Sequence, residues 1–160
     1  MTVHDYLAGS LQGSLGMLKM HLADMSDAEL FVRPVTGANH ANWQLGHLVV
    51  SEYHMLIKCG AKMRELPAGF AARYSKETAG IDDPSKFATK ADILALFDKV
   101  RADTIAFAQS ATDAQLSAPS PMPDFCPTVA DFVGLGSMHI GMHVGQIQVL
   151  RRKLGKPILF

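Results

Sequence analysis

The sequence predicts an all-α protein, a four-helix bundle with a long crossover connection between its second and third helices. Apolar residues recur at intervals of three and four in four long segments, which is the spacing of one helix face. A stretch rich in proline and glycine separates the second segment from the third, and no useful length alternates as a strand would. With 160 residues the chain can bury a proper core. We therefore expect one bundle domain over residues 1–160.

The first predicted helix covers residues 2–23. Its leucines follow each other at steps of four, four, three and four residues: Leu7, Leu11, Leu15, Leu18 and Leu22. The second predicted helix begins near residues 39–42, where two asparagines are suited to N-capping, and continues to about residue 64. Five of its residues are predicted to share one face: Trp43, His47, Val50, His54 and Ile57.

The second half of the chain supplies the crossover and the last two helices. Residues 65–88 contain two prolines and two glycines among scattered charges, which indicates a long connection. The third helix is predicted over residues 90–110 with Thr89 as its cap. The fourth is predicted over residues 128–154, because Thr128 and Asp131 resemble a capping box and Gly155 marks an end.

Composition excludes several function classes. Fifteen basic and fifteen acidic residues give a formal net charge of zero, which argues against nucleic acid as a partner. The most apolar stretch, residues 45–57, is too short and too polar to span a bilayer, and the N-terminus lacks the pattern of a signal peptide. The two cysteines, Cys59 and Cys126, form no CxxC motif. We expect a cytoplasmic protein with both thiols buried and no membrane partner.

A pair of histidines in the last helix is the strongest chemical signal. His139 and His143 lie four residues apart, so their side chains stand on the same helix face and can close on one metal ion. The alternative is a hydrogen-bonded pair in the core. A metal site needs a third ligand from another helix, and His47 is the best candidate. His54 lies two turns further along, about 10 Å by helix rise, so one metal is not expected to bind both; His54 could line the same cavity or support the metal ligands from behind.

The other polar candidates are expected to lie elsewhere. His40 comes too early in the second helix to point into the bundle. His4 and His21, near the two ends of the first helix, are expected to be solvated or to face the helix dipole. Glu52 lies about 140° round the helix from His47 and is expected to face away from it.

Three motifs in order resemble the DinB-like (DinB/YfiT) family. They are NWQLGHL at residues 42–48, HIGMHVGQI at residues 139–147 and LFVRPVTG at residues 30–37. The resemblance implies a four-helix bundle with a long crossover and a histidine triad, one from the second helix and two from the last. That triad binds a divalent metal, often nickel or zinc. The matching positions are His47, His139 and His143, whereas His54 is not part of the family's triad.

The resemblance also implies a function class. Characterised relatives include thiol-dependent S-transferases and a mycothiol-dependent isomerase, and members are often homodimers. Gly141 and Gly145 form a small-xxx-small pair that indicates close helix packing or a dimer contact. The rival to an enzyme is a non-catalytic dimeric bundle with a structural or ligand-binding role.

Three histidine ligands leave metal positions open for water or substrate. We therefore expect a metal-dependent thiol S-transferase or hydrolase that acts on a small molecule, with a low-molecular-weight thiol as a candidate partner. His54 is the candidate general base, and Gln146 is the candidate for orienting a ligand or water. The alternatives are a hydrogen-bonded wall residue for His54 and a buried amide that bonds a neighbouring helix for Gln146.

Overall fold

The computed structural model describes residues 1–159 and contains four long helices and two short ones. In chain order the helices are α1 (Val3–Leu22), α2 (Ala41–Lys58), α3 (Phe70–Arg73), α4 (Lys90–Ser110), α5 (Asp113–Ser117) and α6 (Val129–Lys153). No β-strand occurs over residues 1–159. The predicted all-α four-helix bundle, with its long crossover between the second and third long helices, is confirmed.

The four long helices pack so that α2 and α6 are neighbours. Helix α1 lies against α6 and α4, and α2 lies against the same two helices from the other side. The pairs α1–α2 and α4–α6 are therefore diagonal in the bundle. This arrangement brings the histidine of α2 to the histidine pair of α6.

Three of the four long helices begin as the sequence predicts. Thr2 and Thr128 each cap a helix with a reciprocal capping box, and the Thr89 side chain accepts a hydrogen bond from the backbone of Asp92. The predicted asparagine cap of α2 is wrong. The N-cap is His40, whose Nδ1 accepts the backbone N–H of Trp43 at 3.0 Å.

Helix α2 is shorter than its apolar pattern suggests. It ends at Lys58 rather than near residue 64, because Gly60 adopts a left-handed conformation with φ of +79°. The chain beyond it still packs on the core through Ala61 and Met63, which is why the apolar spacing continues past the end of the helix.

The crossover is anchored to α2 at one close contact. The ring of the buried Tyr74 lies on the backbone of Gly46, where an added Cβ would stand 2.1 Å from a ring carbon. The Tyr74 hydroxyl also accepts the backbone N–H of Ala88 at 2.9 Å. Only glycine at position 46 lets the crossover approach this closely. The contact fixes the short 3₁₀ turn at Lys76–Thr78 beside α2.

A buried ion pair ties three helices together on the far side of α2. Glu52 accepts hydrogen bonds from Arg101 at 2.6 Å and from the Thr104 hydroxyl at 2.8 Å. Arg101 also donates to the carbonyl of Leu11 in α1 at 2.7 Å. The carboxylate of Glu52 thus faces away from His47, as expected.

The structure shows where two of the remaining histidines lie. His21 is buried rather than solvated, and its Nδ1 lies 2.8 Å from the carbonyl oxygen of Met17 near the C-terminus of α1, which fits the alternative of a histidine that faces the helix dipole. The expectation that His40 lies outside the bundle is wrong, because His40 is fully buried, with Nε2 3.0 Å from the carbonyl oxygen of Ile81. Both imidazoles find backbone partners, which lets them leave water at low cost.

Neither thiol is fully exposed. Cys126 is buried and Cys59 is half-buried, where burial raises the pKa of the Cys59 thiol to about 11. A thiol with that pKa stays protonated at neutral pH and is a poor nucleophile. Among the helices of residues 1–159, none has the length and apolar character needed to cross a membrane.

Candidate metal centre

Three imidazoles converge between α2 and α6. His47 comes from α2, His139 and His143 come from α6, and one ring nitrogen of each lies within 4.8 Å of the others. The two Nε2 atoms of His139 and His143 are 3.1 Å apart. The ring of His47 lies 5.3 Å from that of His139 and 5.6 Å from that of His143, centroid to centroid. The structure thus brings the three predicted ligand residues to one point.

The spacing of the nitrogens fits a transition-metal ion. Bonds of about 2.0–2.1 Å at tetrahedral angles place two ligand nitrogens about 3.3 Å apart, close to the 3.1 Å between the α6 imidazoles. At most one of these facing Nε2 atoms can carry a proton, so at least one lone pair points into the centre. Neutral imidazole is a good ligand for zinc, copper, iron and nickel.

Gln44 sets the tautomer of His143. Its side-chain amide donates to the carbonyl of Asn39 at 2.8 Å, which turns the amide oxygen toward α6. That oxygen accepts a hydrogen bond from His143 Nδ1 at 2.8 Å. With its proton held on Nδ1, His143 presents the Nε2 lone pair to the centre, as metal-ligating histidines do. Sequence reasoning missed Gln44, although it lies one helical turn before His47.

Trp43 orients His47. The indole stacks on the imidazole with centroids 4.8 Å apart and an interplanar angle of 8°. The indole N–H donates to the carbonyl of Ser75 and to the Thr78 hydroxyl, both at 3.1 Å. The other neighbour of the imidazole is Ser51, whose hydroxyl lies 3.3 Å from His47 Nε2. The crossover therefore helps to hold one ligand ring in place.

Burial keeps the three imidazoles neutral. It lowers the pKa of His139 to about 4, with a further contribution from His47. Burial lowers the pKa of His143 to about 3, and His139 and His47 add to the effect. The pKa of His47 is lowered by burial and by the positive charge of Lys76. Metal binding requires deprotonated ligands, so all three are in the state that fits a metal at pH 7.

The centre opens on a cleft of about 640 Å³ between α2, α6 and the crossover. His47 and His139 line the cleft, whereas the more deeply buried His143 lies behind them. The apolar part of the wall comes from both helices and from the loop before α6: Val50, Met55, Met122, Phe125, Phe132, Leu135, Met138 and Met142. A molecule in this cleft therefore meets an apolar surface next to two of the three imidazoles.

No fourth protein ligand completes the group. Within residues 1–159 the cluster contains only the three histidines, and no acidic residue or cysteine lines the cleft. A structural zinc site is closed by four protein ligands, whereas a catalytic one keeps a position for water or substrate. A metal held by these three histidines would therefore keep a coordination position open, as catalytic sites do.

The two predicted helper residues differ in position. His54 is exposed and lines the same cleft, with its ring 5.2 Å from that of Tyr53. Gln146 is half-buried on α6 and does not line the cleft. The amide that contacts the triad is Gln44 instead. The catalytic roles of His54 and Gln146 stay predictions.

The glycine pair of α6 does not mediate packing within the chain. Gly141 and Gly145 are exposed, and an added Cβ at either would meet nothing within 4 Å among the described residues. The expectation of close helix packing is therefore wrong for this chain alone. A dimer contact at these glycines stays a prediction.

Comparisons with known proteins agree with this fold and site. The family model of the DinB superfamily matches residues 10–147. No curated protein gives a significant match. YfiT from Bacillus subtilis, described as a probable metal-dependent hydrolase with an unusual four-helix bundle topology, has a TM-score of 0.67 at 21% identity, over 96% of this chain and 89% of that one.

A second solved structure, a conserved protein from Enterococcus faecalis, has a TM-score of 0.64 at 16% identity, over 98% of this chain and 99% of that one. Identities this low establish a likeness of fold alone. The family match is independent of them and spans most of the sequence, including all three converging histidines. The chain belongs to the DinB superfamily.

Proposed function

We propose that this protein is a metal-dependent enzyme that transforms a small molecule in the cleft between α2 and α6, by hydrolysis or by transfer to a low-molecular-weight thiol. One observation carries the proposal: three neutral imidazoles converge beside a cleft in which residues 1–159 offer no fourth protein ligand. That arrangement leaves room for a substrate at the centre. The description of YfiT as a probable metal-dependent hydrolase supports the same class of chemistry.

His47, His139 and His143 would hold the divalent ion, and the all-imidazole donor set suits a transition metal. Nickel or zinc is the choice that the family resemblance implies. When bound, the ion supplies Lewis-acid chemistry, which polarises a substrate group or makes a water or thiol more acidic. The protein contributes the alignment of its ligands. Gln44 keeps the His143 proton on Nδ1, and Trp43 holds the ring of His47 by stacking.

The cleft contributes binding and proton transfer. Its apolar wall excludes water from a bound molecule and so strengthens polar interactions at the centre. His54, two helical turns from His47 on the same cleft, is the proposed general base for the attacking water or thiol. An imidazole in contact with solvent can pass the proton on.

Metal analysis of protein purified without added metal tests the first half of the proposal. Wild type is expected to hold one nickel or zinc ion per chain, and His139→Ala and His143→Ala are expected to lose it. His54→Ala is the matched control, because it removes an imidazole from the same cleft outside the triad and should retain the metal. Wild type that neither contains metal nor binds nickel or zinc on titration contradicts the proposal.

Turnover tests the second half. Metal-loaded protein is screened on a panel of small esters, amides and electrophiles, with and without bacillithiol, mycothiol or glutathione. Turnover that requires a thiol assigns the transferase reaction, and turnover without one assigns the hydrolase. Either activity should fall in His54→Gln while the metal content stays unchanged. Bound metal without turnover on any of these substrates favours a non-catalytic bundle.

A further inference from the structure

The charged side chains that line the cleft beside the triad are of one sign, positive. The chain as a whole has a formal net charge of zero. In the described part of the chain, the charged side chains that line the cleft are nevertheless both lysines, Lys58 and Lys76, and no aspartate or glutamate lines it. A cleft with this charge favours an anion and repels a cation.

The two lysines come from different elements and lie at different distances from the triad. Lys76 lies in the 3₁₀ turn of the crossover, next to Ser75, whose carbonyl accepts the indole N–H of Trp43. Lys58 is the last residue of α2, eleven residues after His47, which is about 16 Å by helix rise. The lysines therefore mark the part of the cleft near the triad and its far end along α2.

Neither lysine is committed to a partner in the protein. Across residues 1–159, no carboxylate lies within ion-pair distance of either ammonium group. Lys19 and Lys156, by contrast, are paired with Asp98 and Glu29. The carboxylate that influences Lys76 belongs to its chain neighbour Glu77, which does not line the cleft. Both ammonium groups are free to receive an anion.

The rest of the wall is apolar and flexible in shape. Four methionines line the cleft together with Phe125 and Phe132, and methionine adapts to ligands of irregular outline. The polar exceptions are two serine hydroxyls, a tyrosine and the histidines. A fully polar ligand would leave this apolar surface without a partner. An uncharged apolar ligand would leave the lysines without one.

We infer that the cleft takes an elongated amphipathic anion, with its apolar body on the methionine and phenylalanine wall and its acidic group at Lys58, while the positive charge of Lys76 adds to the attraction at the end near the triad. This inference deepens the proposed function, because it names the class of molecule that the triad would act on. Carboxylates and sulfonates share the required chemistry. The long axis of the ligand would follow α2 from the triad toward Lys58.

The test measures binding of eight-carbon probes that differ only in their head group: octanoate, octane-1-sulfonate, octan-1-ol and octylammonium. Metal-free wild type is used, so that no head group is recruited by a metal. Isothermal titration at low salt is expected to give both anions about fivefold to tenfold tighter binding than octan-1-ol, since exposed ion pairs contribute modestly. Octylammonium should bind most weakly. The preference should shrink in 0.5 M salt, where charges are screened.

Two double variants separate the cleft lysines from charge in general. Lys58→Gln/Lys76→Gln should bring the ratio of octanoate to octan-1-ol affinity close to one, with octan-1-ol affinity unchanged. Lys62→Gln/Lys86→Gln is the matched control, because it removes two exposed lysines that do not line the cleft. The control should keep the preference.

Three outcomes overturn the inference: equal affinity for octanoate and octan-1-ol, a preference that survives in the cleft variant, or no binding of any probe up to its solubility limit. A preference for octanoate over octane-1-sulfonate, or the reverse, identifies the acidic group. Since binding is measured without metal, a protein that fails to bind nickel or zinc contradicts the proposed function and leaves this result standing. A metal-binding protein with no anion preference contradicts the inference alone.

Discussion

Replacing Gln44 with methionine should weaken metal binding without disturbing the fold. Methionine keeps the length and much of the volume of glutamine but removes the amide oxygen that lies 2.8 Å from His143 Nδ1. The buried imidazole N–H would then lack an acceptor, which costs about 1–3 kcal/mol. A change of tautomer removes this cost, because the proton of His143 then lies on Nε2, the nitrogen that faces His139. In that tautomer the ligand lone pair is lost.

The expected size of the effect follows from the same hydrogen bond. Loss of a partner that orients a metal-ligating histidine lowers metal affinity by about tenfold to a hundredfold. That loss corresponds to about 1.4–2.7 kcal/mol, which matches the cost of the unpartnered N–H. The unfolding midpoint of the metal-free variant should fall only slightly, because the tautomer change relieves the strain on the folded state.

The chain carries its own reporter for this measurement. Trp43 is the only tryptophan, and it stacks on the ring of His47. Its fluorescence should therefore change when nickel binds the triad, and competition with a chelator of known affinity gives the dissociation constant. Gln146→Met is the matched control: the same substitution, half-buried on α6, one turn from His143 and outside the cleft. Gln44→Glu keeps an acceptor at Nδ1 and should bind nickel more tightly than Gln44→Met.

Two results would refute the reasoning. One is nickel affinity of Gln44→Met within about twofold of wild type, since the hydrogen bond is expected to be worth at least tenfold. The other is a stronger loss in Gln146→Met, which would transfer the orienting role to the glutamine that the sequence first suggested.

Three further predictions concern stability. The α6 histidines have folded pKa values near 4 and 3, below the unfolded value of 6.5, so the unfolded chain binds more protons as pH falls. Metal-free protein should therefore lose about 3 kcal/mol for each histidine, on the order of 6 kcal/mol in all, between pH 7 and pH 4 relative to a variant with both replaced by alanine, as urea unfolding would show; parallel curves would contradict this. Gly46→Ala places a Cβ against the Tyr74 ring and should lower the free energy of unfolding by about 2–3 kcal/mol. Gly141→Ala lies on open surface and should raise it by up to about 1 kcal/mol, as thermal unfolding of both variants would show. Arg101→Met leaves the buried Glu52 carboxylate without its ion-pair partner and should lower the free energy of unfolding by about 3–5 kcal/mol. Adding Glu52→Gln should recover much of that loss. If the effects of the two substitutions simply add, the two residues are not coupled.

The fold was predictable because its information is local. Leucine spacing locates the face of α1 that packs in the core, and threonines before acidic residues mark where helices begin. The end of α2 was not predictable from apolar spacing. Met63 continues the pattern because it packs on the core from a non-helical segment. Apolar periodicity indicates which residues are buried, and in this chain buried residues continue past the end of α2.

The site was predictable only in part for the same reason. The spacing of His139 and His143 is local, so one helix is enough to place them together. The partner of His143 is Gln44, ninety-nine residues away in the chain, and nothing in the sequence joins the two. The prediction for His40 failed for a related reason. Its distance from the middle of α2 suggested a position outside the bundle. Its partner at Ile81 comes from a crossover whose path the sequence does not give.

The placement of acidic residues explains why the centre stays open. Glu52 lies five residues after His47 and is the buried carboxylate of α2, the kind of group that would close a three-histidine site. Its oxygens are instead committed to Arg101 and Thr104 on the opposite side of the helix, where losing them would leave a buried guanidinium unpaired. Among residues 1–159, no carboxylate lines the cleft, whereas two unpaired lysines do. Under the proposed function, this distribution of charge would leave the fourth metal position to a molecule from outside the chain, and we infer that an acidic molecule fills the cleft.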